Sequence, residues 1–294
     1  MVKRFIVVLA FLLMGASASA QGQGQDQGPI NPKLNAYIKA YNLFIGTFGF
    51  TDQYKAYQRS NVSQAKPSSN FWVREGWIDK GVDMLKAANP DSAPGELNVA
   101  ATALLASMDK VLTHLTSLRP YYESKKYLDD NLARGKAEDA AMLAEFKAAE
   151  DDLTRFHVLL DREIDRRDLV SLEELKSEGQ LEQYHVSSAV FHAKRLLKLI
   201  RMTANAKDPA LYTQADAEVA TIEKALADAR EEHAKGSEFS QFEGASIYFN
   251  GLLGAYRELK IAGQKGDAQT MGSRFQLMVN SYNGVIQTLN GSPF

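Results

Sequence analysis

Residues 208–236 read DPALYTQADAEVATIEKALADAREEHAKG, and this stretch decides the fold class. Aspartate followed by proline is typical of a helix start, and glycine at the far end is typical of a helix stop. Between these ends, apolar side chains recur every three or four residues, at Leu211, Ala215, Val219, Ile222, Leu226 and Ala229. Because one helical turn takes about 3.6 residues, this spacing predicts an amphipathic helix with one apolar face.

The same period runs along most of the chain after residue 30. Near the N-terminus it is carried by Leu34, Ile38, Tyr41, Ile45 and Phe48. The predicted helices cover about residues 31–63, 71–88, 96–118, 121–133, 137–177, 181–205, 209–235, 244–262 and 268–290, with Pro120 ending the third of them. No segment of useful length alternates with the period of two that marks a half-buried strand. Short links favour antiparallel neighbours, so we predict an all-α protein, a single up-and-down bundle of about seven to nine long amphipathic helices.

The first 20 residues have the form of an export signal. Lys3-Arg4 gives a positive start, residues 5–14 are all apolar, and Ala18-Ser19-Ala20 has small residues where a signal peptidase reads the chain. We therefore predict a signal peptide over residues 1–20 that is cleaved after Ala20, and a periplasmic or secreted mature protein. The alternative is an uncleaved signal anchor.

The segment after the signal, residues 21–29, reads QGQGQDQGP and contains no apolar residue. Such a composition is typical of a flexible spacer, so we predict a disordered Gln/Gly leader over residues 21–30. No stretch of similar composition recurs later, and we predict one helical-bundle domain over residues 31–294. The apolar run in the signal has about half of the roughly 20 residues that a membrane-spanning helix needs. We therefore predict no transmembrane span in the mature chain.

The composition excludes several classes of protein. The chain has no cysteine, which removes thiolate nucleophiles, disulfides and cysteine-based metal sites. Removing Lys3 and Arg4 with the signal leaves 32 of the 34 basic residues against 36 acidic ones, a net charge of −4. This balance argues against nucleic acid as a partner. The sequence lacks HExxH, GxSxG, P-loop and EF-hand patterns, so it predicts no catalytic residue, no metal ligand and no cofactor, and it leans against an enzyme.

A tyrosine–asparagine pair occurs inside both the first and the last predicted helix. The pairs are Tyr41-Asn42 and Tyr282-Asn283, each flanked on both sides by an Ile or Val three residues away. Asparagine is a poor helix former, so two such pairs in helix interiors need a reason. One interpretation is structural, with tyrosine filling the core and asparagine bonding a neighbouring helix. The other is a pocket between the first and last helices, with Tyr41, Asn42, Tyr282 and Asn283 as candidates for binding a small polar ligand.

A resemblance to a known family rests on three segments. They are the run Lys33-Leu34-Asn35-Ala36-Tyr37-Ile38 with Tyr41-Asn42, the middle segment Tyr121-Tyr122-x-x-x-x-Tyr127-x-x-Asp130 with Gly135 behind it, and the closing Tyr282-Asn283. Together these segments resemble the YiiG-like bacterial envelope protein family, a domain of unknown function (number 3829). Many of its members look like exported lipoproteins with an anchor cysteine, whereas this chain has Gln21 at that place, so membrane tethering is not implied. The family has no established activity and implies no functional residue.

Two further constellations leave alternatives open. His157 and Asp161 are four residues apart on one helix face, a spacing that suits either a metal site or an ordinary ion pair. Tyr121, Tyr122 and Tyr127 suit either packing at a helix corner or an aromatic patch for a sugar or peptide.

The sequence as a whole predicts an exported soluble helical bundle that is a non-catalytic binding or interaction module of the bacterial envelope. The predicted partner is an unknown envelope protein or a small ligand. The first alternative is a small-molecule binding protein with a polar pocket between the first and last helices. The second is a metal-dependent hydrolase built on His157 and Asp161.

Overall fold

The computed structural model describes residues 32–69, 71, 73–88, 94–201, 209–236 and 241–291. Within these ranges the chain forms nine α-helices: α1 Pro32–Ile45, α2 Phe50–Ser60, α3 Ile78–Ala87, α4 Glu96–Glu123, α5 Ala133–Ser177, α6 Leu181–Arg201, α7 Pro209–Ala234, α8 Phe242–Lys265 and α9 Ala268–Leu289. Two short 3-10 turns lie at Val62–Gln64 and Lys126–Leu128. These ranges contain no strand, and the predicted all-α bundle is confirmed.

None of the described helices is both long and apolar enough to span a bilayer. The predicted signal peptide and the predicted leader lie outside the described residues.

The chain divides into two compact units. The N-terminal unit ends at Ile164 and the C-terminal unit begins at Asp165, both within α5. Each unit buries apolar side chains of its own helices. The single domain over residues 31–294 stays a prediction.

Aromatic rings fill the core of the N-terminal unit. The ring of Phe146 on α5 lies 4.9 Å from the ring of Tyr54 and 5.8 Å from the ring of Phe50, centroid to centroid, so α5 packs against α2. On α3, Gly81 faces Phe44 of α1 so closely that a Cβ at this position would lie 2.4 Å from the ring. The missing side chain therefore lets α1 and α3 approach each other.

The C-terminal unit contains the end of α5 and two helix pairs, in which α6 packs along α7 and α8 packs along α9. On α7, all six residues of the predicted apolar face, from Leu211 to Ala229, are buried. The predicted amphipathic helix is thereby confirmed. At the start of α9, the side chain of Asp267 accepts a hydrogen bond of 3.0 Å from the backbone N–H of Thr270 and so caps the helix.

The first predicted helix was expected to run to about Ser63, but it breaks after Ile45 and a new helix begins at Phe50. Gly49 permits the break. A Cβ on Gly49 would lie 2.1 Å from the carbonyl oxygen of Leu43, a distance that only glycine permits. The apolar period continues through Phe48, which is why the pattern alone predicts an unbroken helix.

Pro120 does not end the third predicted helix, because α4 continues to Glu123. Proline removes one backbone hydrogen bond near the end of the helix, and its own carbonyl accepts a bond of 3.1 Å from the N–H of Ser124. The tyrosines that follow are packed at the helix corner, since Tyr121, Tyr122 and Tyr127 are 3%, 5% and 7% exposed. They are therefore core residues, not an open aromatic patch.

Candidate ligand-binding site

A cavity of about 260 Å³ opens in the N-terminal unit between α1, α2 and α5. Its apolar lining consists of Tyr41, Ile45, Phe50, Tyr54 and Leu153. Its polar lining consists of Thr51, Lys55, Gln58, Glu150, Thr154 and His157. Within each helix these residues recur at spacings of three or four, so each of the three helices turns one face to the cavity.

The break between α1 and α2 shapes one side of this cavity. Ile45 ends α1 and Phe50 begins α2, and both line the cavity. Between them, Phe48 adopts a left-handed backbone with φ 63°. Its carbonyl accepts hydrogen bonds from the backbone N–H of Trp77 at 2.9 Å and from Nε2 of Gln53 at 3.2 Å. A bulky residue keeps this conformation only where its surroundings hold it, so these bonds fix the corner and with it the gap between α1 and α2.

One wall of the cavity is a stacked pair of rings. The rings of Tyr41 on α1 and His157 on α5 lie 4.8 Å apart, centroid to centroid, with 14° between their planes. Tyr41 is buried and His157 is half-buried. Stacking orders both side chains in the ligand-free protein, and a wall that is ordered in advance lowers the entropic cost of binding.

Two exposed charges of opposite sign stand at the cavity, Lys55 on α2 and Glu150 on α5. No ion pair joins Lys55 to any residue that the structure describes. Glu150 lies 4.0 Å from Nζ of Lys147, whose ammonium also pairs more closely with Asp151. Exposed pairs of this kind contribute little, so Glu150 keeps most of its capacity to bind a cation.

The four residues predicted to bind a ligand have different surroundings. Tyr41 lines the cavity. Asn42 beside it is half-buried, and its buried Oδ1 has no hydrogen-bond partner among the described residues. Tyr282 and Asn283 lie on α9 in the C-terminal unit, where Tyr282 is buried and Asn283 is half-buried. The structure therefore brings Tyr41 to a cavity, whereas the pocket between the first and last helices stays a prediction.

Tyr282 lies in a buried, charged region of the C-terminal unit. Lys194 on α6 is 5% exposed, and its ammonium pairs with the carboxylates of Asp165 and Asp168 on α5. Burial, and after it the charges of Asp168 and Asp165, raises the pKa of Tyr282 well above its usual value, so the hydroxyl stays protonated. Burial also raises the pKa of Asp168 against the opposing effect of Lys194. The ring of Tyr282 is buried, and its hydroxyl has no hydrogen-bond partner among the described residues, so both interpretations of this tyrosine–asparagine pair stay predictions.

The metal alternative rests on His157 and Asp161. Nε2 of His157 is 3.8 Å from Oδ2 of Asp161, the geometry of a loose ion pair within α5. In the part of the chain that the structure describes, no group of three or more His, Asp or Glu side chains is arranged to hold a metal ion. Since a catalytic zinc takes about three protein ligands, these two residues do not make such a site by themselves.

Sequence reasoning missed the two charges at the cavity. The signal that exists is the spacing of Thr51, Lys55 and Gln58, which puts three polar groups on one face of α2. The same spacing marks any solvated helix face, so the sequence alone does not distinguish a cavity wall from ordinary surface.

Comparison with known proteins identifies the family. The family model described as "Protein of unknown function (DUF3829)" matches residues 29–250. The chain belongs to this DUF3829 family. Its similarity to the uncharacterized protein YiiG of Escherichia coli (strain K12) is 22% identity over 239 residues, covering 78% of this chain and 66% of that protein. The matched part of the chain therefore spans just under two thirds of the length of this relative. No solved structure matches the chain.

The part of the chain that matches the DUF3829 model includes every residue that lines the cavity. The lining offers groups that can bind a ligand, and the contact of one of its hydroxyls is defined. The hydroxyl of Thr154 donates a hydrogen bond of 2.9 Å to the carbonyl of Glu150 in its own helix, not to a base that would activate it.

Proposed function

We propose that this DUF3829 protein is an exported, non-catalytic binding protein whose N-terminal unit holds a small polar ligand in the cavity between α1, α2 and α5. The observation that carries the proposal is the lining of the cavity. An apolar floor and the stacked rings of Tyr41 and His157 meet hydroxyl, amide and charged groups there. Ligand sites typically combine apolar walls with a few convergent polar groups in this way.

The size of the cavity limits the ligand. Its volume of about 260 Å³ lies just below the roughly 300–1,000 Å³ of typical ligand pockets. The ligand is therefore smaller than a drug-sized molecule, and a single metabolite fits better than a polymer.

The export signal supports a ligand from the envelope or the medium. Lys3-Arg4, the apolar residues 5–14 and the small residues at Ala18-Ser19-Ala20 have the order of a cleavable signal peptide. A chain without cysteine needs no disulfide chemistry to fold after export.

The test is a thermal-shift screen of the exported protein against amino acids, sugars and organic acids, with titration calorimetry on each compound that raises the melting temperature. Thr154→Trp places an indole at the cavity and should abolish binding. The matched control is Thr116→Trp, the same change at an exposed position of α4 that does not line the cavity, and it should bind like the wild type. Equal affinity of a ligand for both variants would contradict the proposal.

An exposed aromatic pair favours a second candidate function, interaction with an envelope protein. The side chains of Phe48 and Trp77 are 52% and 42% exposed, and their rings lie 6.0 Å apart. Exposed aromatic residues are the usual anchors of protein interfaces. Crosslinking in an envelope extract should give a discrete product that Trp77→Ser removes and that Val99→Ser, an exposed apolar control on α4, retains. A product that persists in Trp77→Ser argues against this surface.

A further inference from the structure

The charges at the cavity form a pattern that no single ion would satisfy. Lys55 stands on α2 and Glu150 on α5, while apolar side chains from all three helices form the floor between the helices. A ligand with only one charge leaves the other charged side chain without a partner when it covers the cavity. Covering a charge without pairing it is costly, so the lining favours a ligand that carries both signs and an apolar body.

We infer that the cavity takes a free apolar α-amino acid, with its carboxylate at Lys55, its ammonium at Glu150 and its side chain against the apolar lining. The inference rests on the proposed function and names the class of ligand for that same site.

The polar neighbours of each charge agree with this assignment. On α2, Thr51 lies four residues before Lys55 and Gln58 lies three residues after it, so a hydroxyl and an amide stand on the same face and supply donors for a carboxylate. On α5, the hydroxyl hydrogen of Thr154 is already donated to the carbonyl of Glu150 at 2.9 Å. Only the lone pairs of that hydroxyl are left, and they accept a hydrogen bond from an ammonium group.

The floor of the cavity selects the side chain of the amino acid. Phe50, Tyr54 and Leu153 are 1%, 8% and 7% exposed, and they offer carbon surface. A charged or amide side chain placed against them would lose its hydrogen bonds to water without replacement. An aliphatic or small aromatic side chain gains by the same burial, at roughly 25 cal/mol for each Å² removed from water.

The experiment compares L-leucine with two molecules of the same carbon shape that each lack one charge. Titration calorimetry is performed on the exported protein after extensive dialysis. The probe 4-methylpentanoate lacks the ammonium group, and 3-methylbutylamine lacks the carboxylate. Each is expected to bind about tenfold more weakly than L-leucine, or worse, because it covers one of the two charged side chains without pairing it.

Two substitutions assign the charges to their positions. Lys55→Met should weaken the binding of L-leucine about tenfold and strengthen that of 3-methylbutylamine, because the ammonium that this probe leaves unpaired is gone. Glu150→Gln should likewise weaken the binding of L-leucine and strengthen that of 4-methylpentanoate. The matched controls are Lys110→Met and Glu173→Gln, which remove the same charges at exposed positions that do not line the cavity. Both controls should bind L-leucine like the wild type.

The outcomes separate this inference from the proposed function. If L-leucine, L-valine and L-phenylalanine all fail to bind while a sugar or organic acid binds and Thr154→Trp abolishes that binding, the amino-acid inference is overturned and the cavity stands as a ligand site. If Thr154→Trp abolishes the binding of no screened compound, the amino-acid inference and the proposed function are both overturned. Binding of L-leucine that Lys55→Met and Glu150→Gln leave unchanged also overturns the inference.

Discussion

At the scale of single residues, Gly81 lies where α3 packs tightly against Phe44 of α1. A Cβ at position 81 would lie 2.4 Å from the ring of Phe44, whereas packed carbon atoms sit about 3.5–4.0 Å apart. Glycine inside a helix costs roughly 1 kcal/mol relative to alanine. The close packing of the two helices is what offsets that cost here.

We expect Gly81→Ala to lower the free energy of unfolding by about 1–3 kcal/mol, because the added methyl group forces α1 and α3 apart. The matched control is Gly254→Ala inside α8, where, apart from the local helix backbone, no atom of the described residues lies within 4 Å of the new Cβ. That variant should raise the free energy of unfolding by about 0.5–1 kcal/mol through better helix propensity. Urea unfolding followed by circular dichroism measures the free energy of unfolding of both variants. Changes of the same sign and size would show that the close contact between α1 and α3 at Gly81 does not determine the effect.

At the scale of elements, the corner between α1 and α2 depends on a glycine from another segment. Gly76 has φ 58°, and a Cβ there would lie 2.2 Å from the carbonyl oxygen of Phe48, the group that holds the corner. Gly179, after α5, also has a left-handed backbone with φ 73°, but nothing lies within 4 Å of its would-be Cβ. An alanine at either position would therefore pay the cost of a left-handed backbone, but only at position 76 would it also clash with the carbonyl of Phe48.

We expect Gly179→Ala to lower the free energy of unfolding by about 1–2 kcal/mol, the cost of a left-handed non-glycine residue. Gly76→Ala should cost more, since it also displaces the carbonyl of Phe48, and it should weaken any ligand that the cavity binds. Urea denaturation midpoints measure the difference in stability between the two variants, and calorimetry with L-leucine measures the loss of ligand affinity in Gly76→Ala. Equal midpoints for the two variants would show that the contact with Phe48 contributes nothing.

The start of α9 gives a prediction on pH. The side chain of Asp267 accepts hydrogen bonds from the hydroxyl and the N–H of Thr270, and these bonds lower the pKa of its carboxyl group below the usual 3.8. A group with a lowered pKa stabilises the folded state above its unfolded pKa and loses that contribution as the pH falls through the folded value. Asp267→Ala should therefore lower the melting temperature at pH 7 and converge with the wild type as the pH falls below 3.8. A gap between the two melting curves that is independent of pH would contradict the capping role.

The helices also show how much of the fold and of the candidate site the sequence predicts. Apolar periodicity predicts α7 and the all-α class, because burial of one helix face leaves a direct trace in the residue order. It misses the corner at residues 46–49, since Phe48 continues the period while the backbone turns away. It identifies Tyr41 as a candidate but not Lys55 or Glu150, because spacing within one helix does not say which other helix faces it.

At the scale of the whole molecule, the described part of the unit that carries the cavity comes next in the sequence after the predicted export signal and leader. The N-terminal unit supplies α1, α2 and the part of α5 that contains Glu150 and His157. The described residues of this unit begin 12 residues after Ala20, at Pro32. Cleavage after Ala20 would therefore remove the signal and leave the helices that form the cavity intact.

Mass spectrometry of the protein exported by a bacterial host tests cleavage and binding together. The denatured mass should fall below the 32.5 kDa of the full chain by the mass of residues 1–20, with Gln21 as the new N-terminus. Ala20→Lys should keep the full mass, because a long charged side chain does not suit the peptidase, while Gln23→Lys in the leader should be cleaved like the wild type. Full-length wild-type protein in the exported fraction would establish the uncleaved anchor instead.

Native spectra of the cleaved protein should show a second species, heavier by the mass of one amino acid. Thr154→Trp should remove this species, because the ligand is held in the cavity and not on the general surface.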